Sequence, residues 1–378
     1  MVGTRNQRSD RPPIHGNTLV WAVLFGLLVA VIVLGLHGEV ALSAELSAPK
    51  DKDLSAGEKN MALVFAAMKG NLEEVKRLVT AGADVNALVD HGIWGSRPLI
   101  DAASGGWLPL VRFLLESGAD IDAADNSGRT ALSYAAELDD RDVAEFLRSS
   151  GAKVTLMDAC ALGDLKTATR LLDGGADPNV MRVYGIEDQY PPLWVAAAKG
   201  YLNLCRLLLD RGADVDQGSE STGFGGNTPI MAAAARGHVE VLKFLLERGA
   251  DINSEDVHGF NALMCAAGAN QVEAARVLLA RGMKREGVVK GLLYAAARGS
   301  IDVINLIMNS GVPVDSTTED GVTGLMFASS YNQLDAARLL LDKGAKVDWK
   351  DRADETALGL AKSREMRQLL LDRGASNR

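Results

Sequence analysis

TPIMAAAARGHVEVLKFLLERGADIN, residues 228–253, is the stretch whose reading decides the fold. Thr228-Pro229 opens a first short helix, because proline is suited to the first helical turn, where no amide donor is needed. Ala232, Ala233 and Ala234 give that helix a small face that a neighbour can approach closely. Gly237-His238 breaks the chain. Val239, Val241, Leu242, Phe244, Leu245 and Leu246 then form an apolar stripe at helical spacing. Gly249 ends this second helix, as a left-handed C-cap requires. A unit this small cannot bury both of its faces alone, so its stability has to come from stacking on others.

The same grammar recurs along the chain. Gly-Ala-Asp-(Val/Ile)-(Asn/Asp) occurs at Gly82, Gly118, Gly212 and Gly249, with looser copies at Gly151, Gly175, Gly282, Gly311, Gly344 and Gly374. Each is preceded by an apolar anchor: Leu63, Leu99, Leu132, Leu156, Leu193, Ile230, Leu263, Leu292, Leu325 and Leu358. The anchor-to-glycine spacing is 19 residues in nine copies and 16 in the last. The last copy carries Ser363-Arg364-Glu365 where the others turn. Its polarity, from Lys362, Arg364, Glu365, Arg367, Gln368 and Asp372, is that of a terminal cap.

This pattern resembles the ankyrin repeat, a helix-turn-helix unit of about 33 residues with a TPLHxA signature. Thr228-Pro229-Ile230-Met231, Arg97-Pro98-Leu99-Ile100 and Pro191-Pro192-Leu193-Trp194 carry the likeness, as do Gly237-His238, Gly70-Asn71 and Gly299-Ser300. The resemblance covers residues 59–376. It implies an all-α solenoid of ten repeats whose connecting segments form short projecting β-hairpin fingers, and it implies protein partners.

The fingers vary in length. From array glycine to next anchor there are 14 residues after Gly118, Gly249, Gly311 and Gly344, 17 after Gly82, and 18 after Gly175 and Gly212. Only 5 follow Gly151 and 10 follow Gly282, so the fourth repeat has no finger and the eighth is expected to have a short one. Lengthening such a loop costs only about 0.2 kcal/mol in closure entropy, which leaves fingers free to vary as contact surfaces. Trp94, Tyr184, Tyr190 and Phe224 lie on the long fingers, and Phe260 and Trp349 on ordinary ones. Aromatic rings of this kind are enriched among binding hot spots, and equally fold back onto their own hairpin. Just before each turn, the first helix offers a residue to the concave side. Lys199, Arg236 and Arg298 make a basic row in that column, with Tyr331 further along. An acidic segment of a partner would suit them.

Thr18 to Leu36 is a run of 19 uncharged residues, 13 of them Leu, Val, Ile or Phe. As a helix it spans roughly 28 Å, close to the hydrocarbon thickness of a bilayer. Arg5, Arg8 and Arg11 precede it, and Glu39 and Glu45 follow it. The expected layout is a cytoplasmic tail at 1–17, a transmembrane signal anchor at 18–36, a linker at 37–58 and repeats from 59, held on the periplasmic or extracytoplasmic side. Cleavage near Ala41-Leu42-Ser43 is the alternative, giving a secreted or periplasmic form.

The net charge of −9 argues against nucleic acid as a partner. Cys160, Cys205 and Cys265 form no CxxC pair, and they read as buried thiols rather than a disulfide framework or a zinc site. His91 and His258 stand alone on fingers, and His238 is a turn residue. Gly223-Phe224-Gly225-Gly226 is not followed by GK[ST], and no GxSxG elbow occurs. No catalytic residue, cofactor, metal or small-molecule substrate is indicated. The reading is a non-catalytic adaptor at a membrane. A cleaved effector and a regulatory subunit of a membrane complex are the alternatives.

Overall fold

Each of the ten predicted anchors is buried, from Leu63 to Leu358, none more than 5% exposed. Around them the computed structural model, described over residues 54–90, 95–183, 189–220 and 225–376, forms helical pairs. The first helices of the pairs are α1 (Ala56–Met68), α3 (Pro98–Ser104), α5 (Ala131–Glu137), α7 (Leu156–Leu162) and α9 (Pro192–Ala198), then α11 (Pro229–Arg236), α13 (Ala262–Gly268), α15 (Arg285–Arg298), α17 (Gly324–Ser330) and α19 (Ala357–Leu360). The second helices are α2 (Leu72–Thr80), α4 (Leu108–Glu116), α6 (Arg141–Ser149), α8 (Leu165–Asp173) and α10 (Leu202–Asp210), then α12 (Val239–Glu247), α14 (Val272–Ala280), α16 (Ile301–Asn309), α18 (Leu334–Asp342) and α20 (Arg364–Asp372). First helices pack in unbroken succession, α1 on α3 through α17 on α19. Fully buried alanines such as Ala67, Ala103, Ala135, Ala196, Ala233 and Ala266 let their backbones approach. A larger side chain there would hold the helices apart and open voids that close-packed interiors do not tolerate.

Two polar devices fix one pair to the next. At the finger end, the aspartate of each Gly-Ala-Asp motif accepts a bond from the backbone two residues on, as Asp251 does from Asn253 (2.9 Å). The fifth residue of the motif then accepts from the following motif. Asn86 accepts the Asp120 amide (2.7 Å), Asn179 that of Asp214 (2.8 Å), Asp216 that of Asp251 (3.0 Å) and Asn253 that of Lys284 (2.8 Å). The recurring acidic residue is thus a turn residue of the repeat. At the turn end, the residue after each turn lies over the turn of the pair before it. Trp107 covers Gly70, and Gln271 and Gln333 cover Gly237 and Gly299. His238 covers Gly200, with its Nε2 3.1 Å from the Ala198 carbonyl. Burial lowers the His238 pKa, against the carbonyl bond that raises it.

Strands are few. β1 (Val89–Asp90) pairs antiparallel with β2 (Gly95–Ser96), and β3 (Arg182–Val183) with β4 (Gln189–Tyr190). Adjacent fingers also join. Gln189 and Glu220 exchange two backbone bonds of 2.8 Å, and the Arg352 amide reaches the Asp320 carbonyl (2.9 Å).

The segment before Leu292 is no short finger. Residues 285–290 are helical and lengthen α15 to 14 residues. Ten residues are too few for a hairpin of the usual form, whereas helix here buries Val288 and pairs Lys290 with Glu255 (2.6 Å) and Glu286 (3.3 Å). The fourth repeat does lack a finger, because Thr155 caps α7 directly in a reciprocal bond with Asp158. The folded array begins at Ala56 behind a Ser55–Glu58 capping box, three residues before the expected start at Lys59. The proposed anchor at 18–36, the tail at 1–17 and most of the linker lie outside the described residues. Among those described, no helix is long and apolar enough to cross a membrane.

The stacked turns make a specific prediction. Gly200 has φ +77°, and an added Cβ would lie 2.6 Å from His238 Nδ1. Gly212 has φ +89° with open space around it. Gly212→Ala should cost about 1–2 kcal/mol of backbone strain. Gly200→Ala should cost measurably more in urea unfolding, because it also displaces the imidazole.

Candidate interaction surface

The column just before the turns ends the first helices, where the free carbonyls favour positive charge. Arg236 and Arg298 are the last residues of α11 and α15. Both are exposed, and neither makes an ion pair among the described residues. Some other exposed arginines are held, Arg248 by Asp210 (2.8 Å) and Arg373 by Asp342 (2.7 Å), whereas Arg170, Arg285 and Arg364 share the lack of an ion pair among the described residues but lie outside this column. Lys199 differs from its two companions. It is half-buried, and its ammonium donates to the Glu137 carbonyl at 3.2 Å. Burial lowers its pKa, with Asp139 acting against the shift and Arg236 reinforcing it. The row read from sequence therefore holds two free guanidiniums and one engaged ammonium.

Tyr294 lies one helical turn before Arg298 on α15 and links several rings near it. Tyr331 is 37% exposed and stacks on Phe327 with centroids 6.5 Å apart. Tyr294 lies near Arg298 and Tyr331, and burial pushes its hydroxyl up to about 12. Phe260 meets Tyr294 edge-on at 5.0 Å. The structure therefore brings Phe260, Arg298 and Tyr331 into one neighbourhood, through a tyrosine that the sequence reading did not single out.

The other finger aromatics that are described fold inward. Tyr190 lies on Trp194 with centroids 3.9 Å apart, and Trp194 donates to Asn227 Oδ1 (2.8 Å). Trp349 donates to the Gly321 carbonyl of the neighbouring finger (3.0 Å), with the Lys346 ammonium 5.1 Å from its ring. Trp94, Tyr184 and Phe224 lie outside the described residues. Sequence reasoning missed two exposed apolar groups at the turns, Leu138 (57% exposed) and Trp107 (42%). The signal was present. Leu138 stands in the same column as Arg236, and Trp107 occupies the place that His238 fills in its own pair.

Two buried polar sites lie under the first fingers. Asp125, Arg129, Tyr134 and Glu137 form a network in which Tyr134 donates to Asp125 Oδ2 (2.8 Å), and the Arg129 guanidinium meets Tyr134 and, at 3.4 Å, Glu137. Burial pushes the Asp125 carboxyl up, but bonds from Ser127, the Arg129 amide and Tyr134 outweigh it and hold it below its ordinary value. Asp101 has no such support. Its Oδ2 has no hydrogen-bond partner among the described residues, and burial pushes its pKa well above the usual carboxylate range, against one bond from Ser96. The three cysteines are buried and unpaired, with the Cys205 and Cys265 thiols pushed up to about 12 by burial. No group of acidic, histidine or cysteine side chains suited to a metal occurs among the described residues.

These pairs, turns and fingers define a repeat protein. Comparison with known families matches the ankyrin-repeat model at residues 63–158, 156–256, 221–286 and 292–378, and the chain belongs to that family. It is 32% identical over 157 residues to the ankyrin repeat and KH domain-containing protein mask-1 of Caenorhabditis elegans, covering 39% of this chain and 6% of that protein. It is 32% identical over 126 residues to an L-asparaginase of Dirofilaria immitis, covering 31% of this chain and 21% of the enzyme. It is 31% identical over 124 residues to the mouse cyclin-dependent kinase 4 inhibitor B, covering 25% of this chain and 95% of that protein. The chain thus spans about a fifth or less of the length of the first two relatives.

Asp101 yields a pH prediction. Its folded-state pKa is raised, so its contribution to stability is full below the unfolded value of about 3.9 and is lost as pH rises through the folded value. Asp101→Asn should therefore raise the thermal midpoint at pH 7, with the gain shrinking as the pH approaches 4. Equal effects at both pH values would contradict the assignment.

Proposed function

We propose that this chain is a non-catalytic scaffold of ten ankyrin repeats that holds an acidic, extended segment of a partner protein along its turn-end rim. The observation that carries the reading is the pair of exposed guanidiniums in one column, Arg236 and Arg298, which make no ion pair among the described residues, on a chain of net charge −9. An exposed cation left without an intramolecular partner is available to an incoming carboxylate, and rim charges of this kind steer encounter and set specificity. Tyr294, Phe327 and Tyr331 supply apolar area beside Arg298 for side chains between the acidic ones. The family supports the coarser part, protein binding by a repeat array. Its arrays occur beside unrelated activities, so the asparaginase likeness reads as a shared repeat segment.

Tethering belongs to the same proposal. Residues 18–36 have the length and composition of a membrane anchor, which would raise the local concentration of the scaffold near the bilayer. N-terminal sequencing of the mature protein tests this part, and a start beyond residue 36 would replace the tethered form with a cleaved one.

The rim is tested by crosslinking capture from intact membranes. Arg236→Glu with Arg298→Glu should reduce recovery of the partner severalfold at low salt, with the difference narrowing as salt is raised. Recovery equal to that of the unaltered chain at every salt concentration would remove the rim from the binding surface.

A further inference from the structure

Bonds between neighbouring pairs occur all along the array, but two hydrogen bonds skip a pair. Lys199 Nζ, just after α9, donates to the Glu137 carbonyl at the end of α5 (3.2 Å). Arg141 Nη2, at the start of α6, donates to Tyr201 Oη, just before α10 (3.5 Å). Both link the third pair to the fifth across the turn of the fourth. They are the only side-chain bonds among the described residues that do so anywhere in the array. The Tyr201 ring occupies the space between, where a Cβ on Gly163 would lie 2.9 Å from its Cζ.

At its other end the same junction is thinly tied. The Lys153 amide donates to Asp122 Oδ1 (2.8 Å), joining the third motif to the fourth, but toward the fifth pair only the exposed Asp173–Arg211 ion pair (2.8 Å) remains among the described residues. The fourth pair has no finger, since only four residues lie between Gly151 and Leu156. Its motif also ends in Thr155, and that hydroxyl is committed to capping α7 through Asp158. Elsewhere this position ties one motif to the next, as Asn179 does to Asp214 and Asp315 to Lys346 (3.0 Å). No such tie runs from Thr155 to Asp177 among the described residues. The eighth pair also lacks its finger, but there α15 is extended and Asn261 Nδ2 reaches the Gly287 carbonyl (3.3 Å). Among the described residues the fourth pair has no buried replacement of this kind.

We infer that the fourth helical pair is a pivot of the array, held closed at its turn end by the bonds of Lys199 and Tyr201. Toward the fifth pair the finger end keeps only an exposed ion pair among the described residues, which contributes little, so releasing the turn end lets the third and fifth pairs rotate apart about the packed helices of the fourth. The buried alanines and leucines of α7 and α8 stay covered. The charged groups around Lys199 are Asp139, Glu137, Arg141 and Arg236, so the clasp lies beside the rim cation Arg236. Opening it changes the curvature of that rim. The inference does not depend on what partner the rim holds.

The test uses spin labels in the full-length chain at Glu116→Cys on α4 and Asp302→Cys on α16, both exposed positions. Cys160, Cys205 and Cys265 are buried thiols and stay unlabelled in the folded chain. Distance distributions are measured by pulsed electron–electron resonance. Lys199→Met, which keeps the aliphatic stem, should shift the distribution to longer distance and broaden it. Tyr201→Phe, which removes only the hydroxyl, should do the same to a smaller degree and keeps the test open if Lys199→Met fails to fold. His238→Ala, which loses a contact between adjacent pairs, should leave the distance unchanged. An unaltered distribution in the Lys199 and Tyr201 variants would overturn the pivot. So would a shift in His238→Ala as large as theirs, which would mean that every junction is equally compliant.

Discussion

Burial of apolar surface between adjacent helical pairs is the interaction on which everything else depends. A nine-residue helix such as Val239–Glu247 is too short to persist in water on its own. Its Leu242 and Leu245 are fully buried only because other helices cover them. Each anchor leucine removed from water contributes about 2 kcal/mol, and in a stack every interior pair gains that contribution on two sides. The alanine faces of the first helices matter as much as the leucines, since they set how closely neighbouring backbones come. Tyrosine or leucine in place of Ala233 or Ala266 would keep the apolar character and lose the stack.

Polar groups decide how the stacked pairs are oriented. Asparagine and aspartate side chains bind the next motif at the finger end, and the residues after each turn cover the preceding turn. Where both devices are present, adjacent pairs are fixed at two well-separated points and rotation between them is opposed. Where one is missing, only the apolar contact and the remaining end define the angle. The fourth pair is this exception on the side facing the fifth, where the same sequence economy that left four residues between Gly151 and Leu156 removed the finger and the motif tie and left an exposed Asp173–Arg211 ion pair.

Much of this was legible in the residues. The anchors, the terminating glycines and the turn role of the acidic motif residue follow from local rules, because a helix end or a left-handed turn restricts the residue type whatever lies around it. The missing finger after Gly151 follows from chain length. The helix at residues 285–290 did not follow, because ten residues are compatible with either a hairpin or helical turns. The choice lies in what the segment touches, namely Glu255 and Asn261 of the preceding finger and helix. The candidate surface divides in the same way. Lys199, Arg236 and Arg298 share one column in sequence, yet only the tertiary arrangement gives Lys199 a carbonyl two pairs away and leaves the two arginines without an ion pair among the described residues. The inward turn of Tyr190 and Trp349 likewise depends on Trp194 and on the Gly321 carbonyl, partners whose proximity no local pattern encodes.

The most direct measurement of the central claim is the circular dichroism of one pair removed from its neighbours. A peptide of residues 228–260 contains α11, α12 and the finger that follows. In water it should give the spectrum of an unfolded chain, although the same residues are helical in the intact array. A cooperative helical spectrum from the isolated peptide would show that a pair is stable without its neighbours, and the account of the fold as a product of stacking would then be wrong.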